Sequence, residues 1–457
     1  MLPDPQLKHA LTRHCLDACR LLHLQQTTAW AAHPTLSAAA DHVIRDLVND
    51  FTRTALPQEA WEQASLPLKL GGLGIKLPSD YAEPMFLTGQ LKWADAFGHL
   101  GLPPTAAAIQ RHKDLDACLT TLIPKIGQAV EPTKSWSSSP LAPMSHDPAL
   151  FRPKHWTHLI HVRRAAALRD NASERDAVRL QYADGGSTYW MAARPSTGLG
   201  HKIPESQYHL LLKWHLGLPI IPASCAGRAC PLCGAAVDPY GDHAVCCPKA
   251  GIWERHRGIQ TLLHDMALEH RLPCMLEQRA DMRTLDRPGD LMFPEWEHGK
   301  PCFVDVTVHH PLPPSAGPLT PASAQGLLDG AIAQKRNHYE SACHDRDSTF
   351  LPVLFTTFGG IVGTGKVFWT QFLRKLGAGF LGSARSRFVH QSRVSLSHRL
   401  MCAVGAQLES LVLVDDWTLA TPASTTQSSV DPHGNLTTEC VSPLKRPRRS
   451  PSRPNRC

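Results

Sequence analysis

Two aspartates set the chemistry that this sequence could do. Asp290 lies in Arg287-Pro288-Gly289-Asp290-Leu291-Met292-Phe293, and Asp305 in Cys302-Phe303-Val304-Asp305-Val306-Thr307-Val308. Each stretch reads as a short strand. The second is rich in β-branched residues, and the segment between them carries a Pro, a Gly and charges, as a hairpin connection does. A hairpin symmetric about Glu297 and His298 places Asp290 opposite Asp305, and such partners share a face with Cβ atoms about 5 Å apart. Two carboxylates there repel unless a cation lies between them. Mg²⁺ takes one or two carboxylates with phosphate oxygens and water. Two surface aspartates on an ordinary hairpin fit the same spacing, and a one-residue slip separates them. Lys335 and Tyr339 follow, four apart on one face of a predicted helix. An ammonium beside two such carboxylates could orient a water or stabilise charge on a phosphate, although a helical lysine is commonly just solvated.

A second constellation is Cys230-Pro231-Leu232-Cys233, then His243, then Cys247. Two tight pairs of thiolate and imidazole ligands joined by a short loop suit tetrahedral Zn²⁺. Gly234, Asp238, Pro239 and Gly241 favour a compact knuckle between the pairs. Cys246 competes with Cys247 for the fourth place, and a redox Cys-x-x-Cys or buried thiols are the plainer readings. With four protein ligands the zinc would be structural, since no position is left open for catalysis.

Together these motifs resemble the C-terminal region of non-LTR retrotransposon reverse-transcriptase polyproteins, in which a zinc knuckle precedes a restriction-like endonuclease. That endonuclease is a variant of the PD-(D/E)XK fold. The usual motif has a Lys two residues after the second acid, where this chain has Thr307. The resemblance implies that Lys335 takes that role from the next helix, with Tyr339 supporting the site. Glu277, in Met275-Leu276-Glu277-Gln278, is the candidate for an early Glu that assists the metal in such folds. Leu66–Ile75, Trp190–Pro195 and Leu211–Pro219 look like stretches of the same proteins. No Tyr-x-Asp-Asp polymerase hairpin is present; Tyr182-Ala183-Asp184-Gly185 lacks the second acid and reads as a loop. The resemblance therefore implies a nuclease whose reverse transcriptase is supplied by another chain.

A length of 457 residues allows about three domains. No run of apolar residues is long enough to cross a membrane, and the start lacks a signal-peptide pattern, so the expectation is a soluble intracellular protein. Fourteen cysteines in such a chain point to thiols and a metal rather than a disulfide framework. The net charge is +7, and six of the basic residues stand in the last seventeen positions, which hold no acid. Any other nucleic-acid surface must therefore be local, and simple non-specific binding by a basic body is disfavoured. Lys445, Arg446, Arg448 and Arg449 read as a nuclear-localisation or phosphate-contacting tail, or as a merely solvated one.

Periodicity predicts helices over 5–25, 36–55, 154–181, 253–270 and 364–378. Ala40, Val43, Ile44, Leu47, Val48 and Phe51 form one apolar stripe, and Leu351–Thr357 reads as a buried strand. The division expected is a helical thumb- or connector-like region over 1–120, a linker over 121–153 and a connector over 154–228. A zinc knuckle over 229–250, the endonuclease over 251–415 and a disordered basic tail over 421–457 complete it. The fold class is multi-domain: an α-helical N-terminal part, a small knuckle and an α/β restriction-endonuclease-like domain. Gly360-Ile361-Val362-Gly363-Thr364-Gly365-Lys366 mimics a phosphate-binding loop, with Asp415 and Asp416 as a nominal second motif. Val367 replaces the Ser or Thr that would hold Mg²⁺, so an ATPase is the weakest reading. The leading expectation is a nuclear, Mg²⁺-dependent DNA endonuclease with structural Zn²⁺, acting on DNA and in contact with element RNA. The alternative is a catalytically inactive, zinc-dependent nucleic-acid-binding remnant.

Overall fold

The structure is a computed structural model and describes residues 4–30, 33–100, 106–127, 152–183, 185–279 and 287–412. The basic tail, Asp415 and Asp416, and most of the expected linker lie outside the described residues. The chain is mixed, with many helices around one small sheet. The first helices are α1 (Pro5–Leu11), α2 (Leu22–Thr27), α3 (Pro34–Thr52), α4 (Gln58–Ala64), α5 (Pro78–Leu100), α6 (Ala106–Ile126), α7 (Pro153–Asp170) and α8 (Glu174–Tyr182). Next come α9 (Glu205–His215), α10 (Asp242–Cys246), α11 (Ile252–Glu269), α12 (Pro321–His344), α13 (Thr364–Leu376) and α14 (Gly382–Val412). Among the described residues no helix is long and apolar enough to cross a membrane.

Several expected elements are divided or shifted, each for a tertiary reason. The helix expected over 5–25 breaks after α1 into a π turn and a 3₁₀ turn. Arg13 there donates to the Met191 carbonyl at 2.8 Å, and buried His9 sits between the Tyr208 hydroxyl and the Leu73 carbonyl. The helix expected over 154–181 stops at Asn171, because Ser173 caps a new helix by accepting from the Asp176 amide. On α3 the buried line is Ile44, Val48 and Phe51, whereas Val43 is 61% exposed, so the stripe is narrower than the periodicity implied. Residues 121–126 belong to α6 rather than to the linker, because Leu122 and Ile126 are buried against its neighbours.

Phe86, Leu87, Leu91, Cys118, Leu119, Trp156 and Ile160 complete that cluster, which joins α5, α6 and α7. A separate, continuous core runs from Ile44 through Trp190, Trp214, Leu263, Val304 and Phe372 to Leu411, so it crosses the expected segment boundaries. Buried Asp80 of α5 ties the helical layer to α7 through Arg164, 2.9 Å away, and His161, 3.2 Å away. Burial alone would push its carboxyl up, but His161 and Arg164 outweigh this and hold it below the usual carboxylate range. Its ionised form therefore stabilises the fold above the unfolded value of about 3.9, and that contribution is lost as pH falls through the lower folded value. Asp80→Ala, which strands the Arg164 guanidinium and leaves the His161 imidazole without its partner, is expected to cost about 3–5 kcal/mol at neutral pH. Thermal melts should show its gap from the wild type closing as the pH drops below about 4.

The sheet has the order β1 (Met275–Leu276), β2 (Leu291–Glu297), β3 (Lys300–His309), β4 (Thr349–Thr356) and β5 (Ile361–Val362). Strands β1, β2 and β3 form an antiparallel meander. The long α12 then carries the chain to β4, which lies parallel to β3. A parallel pair needs such a crossover. Phe293, Trp296, Phe368 and Phe372 pack together between β2 and α13, with ring centroids 4.9–6.2 Å apart. On the opposite face Met292, Phe303, Phe350, Cys343 and Tyr339 form a small cluster under α12. Burial on both faces explains why β3 reads as a nearly unbroken apolar run.

Candidate active site and metal centre

The β2–β3 turn falls at His298 and Gly299, one residue later than the symmetric hairpin predicts. Both residues have positive φ, 53° and 74°, as a tight two-residue hairpin turn requires. A register shift between Phe293 and Glu297 then compensates, so that Leu291, Met292 and Phe293 pair with Val304, Phe303 and Cys302. At that end the register is the expected one, and Asp290 arrives beside Asp305. Gly289 makes this approach possible. A Cβ there would lie 2.8 Å from the Val304 carbonyl oxygen and 2.9 Å from its amide nitrogen, so a side chain would push the strand away.

Each aspartate is held at both oxygens. Asp290 Oδ2 accepts from the Val306 amide at 2.6 Å, and its Oδ1 lies 3.2 Å from His256 Nε2. Asp305 Oδ1 accepts from Lys335 Nζ at 3.0 Å, and its Oδ2 accepts from the Thr307 hydroxyl at 3.0 Å. Thus Thr307 takes a supporting position where the usual motif has a lysine, and the ammonium comes from α12. Burial raises the Asp305 carboxyl; the Lys335 ammonium opposes that shift and the charge of Asp290 adds to it. The hydrogen bond to Asp290 raises the His256 imidazole against the effect of burial. These groups form a half-buried patch in which the charges of the two carboxylates oppose each other and the Lys335 ammonium offsets that of Asp305.

The other two expected catalytic residues stand apart. Glu277 hydrogen-bonds through its backbone amide to the Asp290 carbonyl, but its carboxylate, 56% exposed, pairs with Arg287 at 2.7 Å. Tyr339 shares the α12 face with Lys335, and its ring packs on Phe350 with centroids 5.5 Å apart. It is a packing residue of the face that carries the aspartates. Two contacts escaped the sequence reading: His256, and Gln260, whose Nε2 donates to the Asp290 carbonyl at 3.2 Å. Their signal was available. They stand four apart on α11, and the buried Gln260 interrupts a line of apolar residues.

The metal centre lies in the knuckle. Ligand atoms of Cys230, Cys233, His243 and Cys247 all fall within 4.8 Å of one another, and no other group of this kind occurs among the described residues. Cys246 is outside the group. The Cys230-to-Gly234 turn closes through the Gly234 amide and the Cys230 carbonyl at 2.8 Å, and an antiparallel bridge joins Ala229 to Ala236. Asp238 accepts from the amides of Tyr240, Asp242 and His243 at 2.7, 3.1 and 2.6 Å, which fixes the start of α10 and the direction of His243. Three thiols and an imidazole converging in a buried setting are the soft donor set that Zn²⁺ takes, so this cluster can bind a zinc ion.

Buried polar contacts tie the knuckle to the sheet. Arg255 donates to the Val245 carbonyl at 3.0 Å and to the Val308 carbonyl at 3.3 Å. Asp242 makes a two-point pair with Arg175 at 2.8 and 2.9 Å and lies 3.2 Å from His310, which follows β3. Burial works against its charge, yet His310 and Arg175 hold the Asp242 carboxyl down at about 2.

The phosphate-loop mimic folds differently from its motif. Ile361 and Val362, inside the would-be loop, pair as β5 with Phe355 and Leu354 of β4. The segment is a hairpin return leading to α13, and Lys366 projects into a cleft instead of crowning an anion cradle. No protein-family model matches the chain, and no curated protein matches it.

Proposed function

We propose that the chain is a retroelement-derived endonuclease that hydrolyses a DNA phosphodiester at Asp290 and Asp305. The observation that supports this reading is the approach of Asp290, at the start of β2, to Asp305 of β3, which Lys335 bonds from α12. The two carboxylates offer hard oxygen donors, and their mutual repulsion in a half-buried site favours a divalent cation. Asp290 and Asp305 would hold Mg²⁺, which when bound polarises the phosphate and acidifies a water.

The remaining roles belong to the chain's own side chains. Lys335, already 3.0 Å from Asp305, places its positive charge where negative charge grows on the phosphate oxygens. Thr307 and the Val306 amide fix the carboxylate planes, and His256 braces Asp290 from α11. Water oxygen adds to phosphorus, the bond from phosphorus to O3′ breaks, and O3′ takes a proton. Structural zinc, DNA with element RNA as partners, a polymerase on another chain and a nuclear setting belong to the same proposal.

The product ends test it. Nicks made by this route carry a 3′-hydroxyl and a 5′-phosphate, so DNA ligase should reseal them and a polymerase should extend them directly. Ends that require phosphatase treatment before extension would contradict the mechanism. One observation favours the alternative, an inactive binding module: the side chains of Glu277 and Tyr339 turn to Arg287 and Phe350 rather than to the pair of aspartates.

A further inference from the structure

Away from the aspartates, two clefts of about 670 and 810 Å³ adjoin and share Lys69, Gly185 and Tyr189 in their walls. Arg13, Lys69, Lys76, Arg194, Lys366 and Arg393 line them, and no acidic residue does so among the described residues. The chain outside its tail is nearly neutral, so this concentration is local. Lys69, Arg194 and Lys366 are exposed and make no ion pair with a described residue. Tyr189 stands where the clefts meet. Arg393 reaches its hydroxyl at 3.2 Å, and His390 packs edge-on to its ring at 5.8 Å. Beside it, Gly185 and Gly186 have open space where side chains would be, leaving bare backbone in the wall.

We propose that this groove binds a single nucleic-acid strand. Unpaired cations track phosphates, and a clamped tyrosine offers a stacking face that any base can use. A duplex keeps its bases stacked inside and cannot use such a recessed ring. One wall of the groove shares α12 with the candidate site, with buried Leu328 and Ile332 between them. Gln325 lines the groove, and Gln325, Leu328, Ile332, Lys335 and Tyr339 follow one stripe of α12. Ten residues of helix separate Gln325 from Lys335, about 15 Å. Only this last link, to the candidate site, rests on the nuclease reading.

The test is fluorescence anisotropy with labelled dT20, rU20 and a 20-base-pair duplex. It uses the full chain carrying Asp305→Ala, without added Mg²⁺, so that binding is read apart from cleavage. Combined Lys69→Ala, Arg194→Ala and Lys366→Ala should weaken binding to a single strand by about tenfold or more. The slope of log affinity against log salt should fall by about 2, near 0.7 for each lost phosphate contact. Tyr189→Ala should weaken it further and Tyr189→Phe should restore it, with unchanged melting temperature. Preference between dT20 and rU20 assigns the strand as DNA or RNA, and either supports the groove. The proposal is overturned if the triple variant binds as tightly as its parent, or if the duplex depends on these residues as strongly as the single strand. Competition by dTMP as effective per site as dT20 would also overturn it, by reducing the groove to a small phosphate site.

Discussion

Asp305→Ala is expected to lower Mg²⁺-dependent nicking by about 10³-fold or more, while leaving the protein folded and its DNA affinity within about threefold. The rate loss corresponds to about 4 kcal/mol of transition-state stabilisation, a reasonable share for one of two metal-holding carboxylates with a cation beside it. The absence of a stability penalty follows from the site itself. Asp305 is a largely buried carboxylate whose protonation is favoured by burial and by the charge of Asp290. Lys335 keeps 39% of its side chain exposed, so it can turn to water when its partner is removed. Removing a repelled, desolvated charge at a functional site commonly leaves stability unchanged or improved. Nicking rates with a parallel thermal melt check both halves. An Asp305→Ala protein that nicks at the wild-type rate would place the chemistry elsewhere.

The second large effect concerns the knuckle. The purified chain is expected to carry one zinc, Cys247→Ser to lose it, and Cys246→Ser to keep it, as read by metal analysis after dialysis. Apparent binding free energies for structural zinc in small knuckles are about 10–16 kcal/mol, comparable with the whole stability of a typical domain. The Cys230–Cys247 loop is short and rich in turns, and the four ligands add to the contacts of Asp238, Asp242 and Arg255 by drawing its two ends together. The consequence should reach beyond the loop, because Arg255 joins Val245 to Val308 and Asp242 meets His310. Both connections end on β3 or just after it, the strand that carries Asp305. Chelation should therefore remove nicking together with part of the cooperative melt. A zinc-free protein that melts and nicks as before would separate the two sites.

The hairpin that brings the aspartates together was legible because two kinds of signal agree. β-branched residues mark Cys302–Val308, and the Pro, the Gly and the charges between the two stretches mark the connection. The turn was misplaced by one residue, since His298 with positive φ gives no obvious sequence signal, yet the register recovers through the shift before Glu297. The cysteine cluster was legible for a similar reason, with local spacing and turn residues pointing to one geometry. What could not be read depends on contacts between distant segments. His256 and Gln260 reach Asp290 from a helix more than twenty residues away, and only packing of α11 on the sheet reveals them. Position along the chain alone points to Glu277, whose left-handed backbone, φ 46°, accompanies a carboxylate turned to Arg287 at the surface. Lys366 reads as a nucleotide-loop lysine until the pairing of Ile361 and Val362 is seen. The continuous core running from Ile44 to Leu411 likewise has no signature in local composition.

Whether the two aspartates form a hydrolytic site for DNA is read by incubating supercoiled plasmid with the purified full chain, with and without Mg²⁺. Conversion to open circles is expected only when Mg²⁺ is present. Plasmid that stays supercoiled in Mg²⁺, while its mobility shifts only with zinc-loaded protein, would contradict the nuclease and leave a binding module in its place.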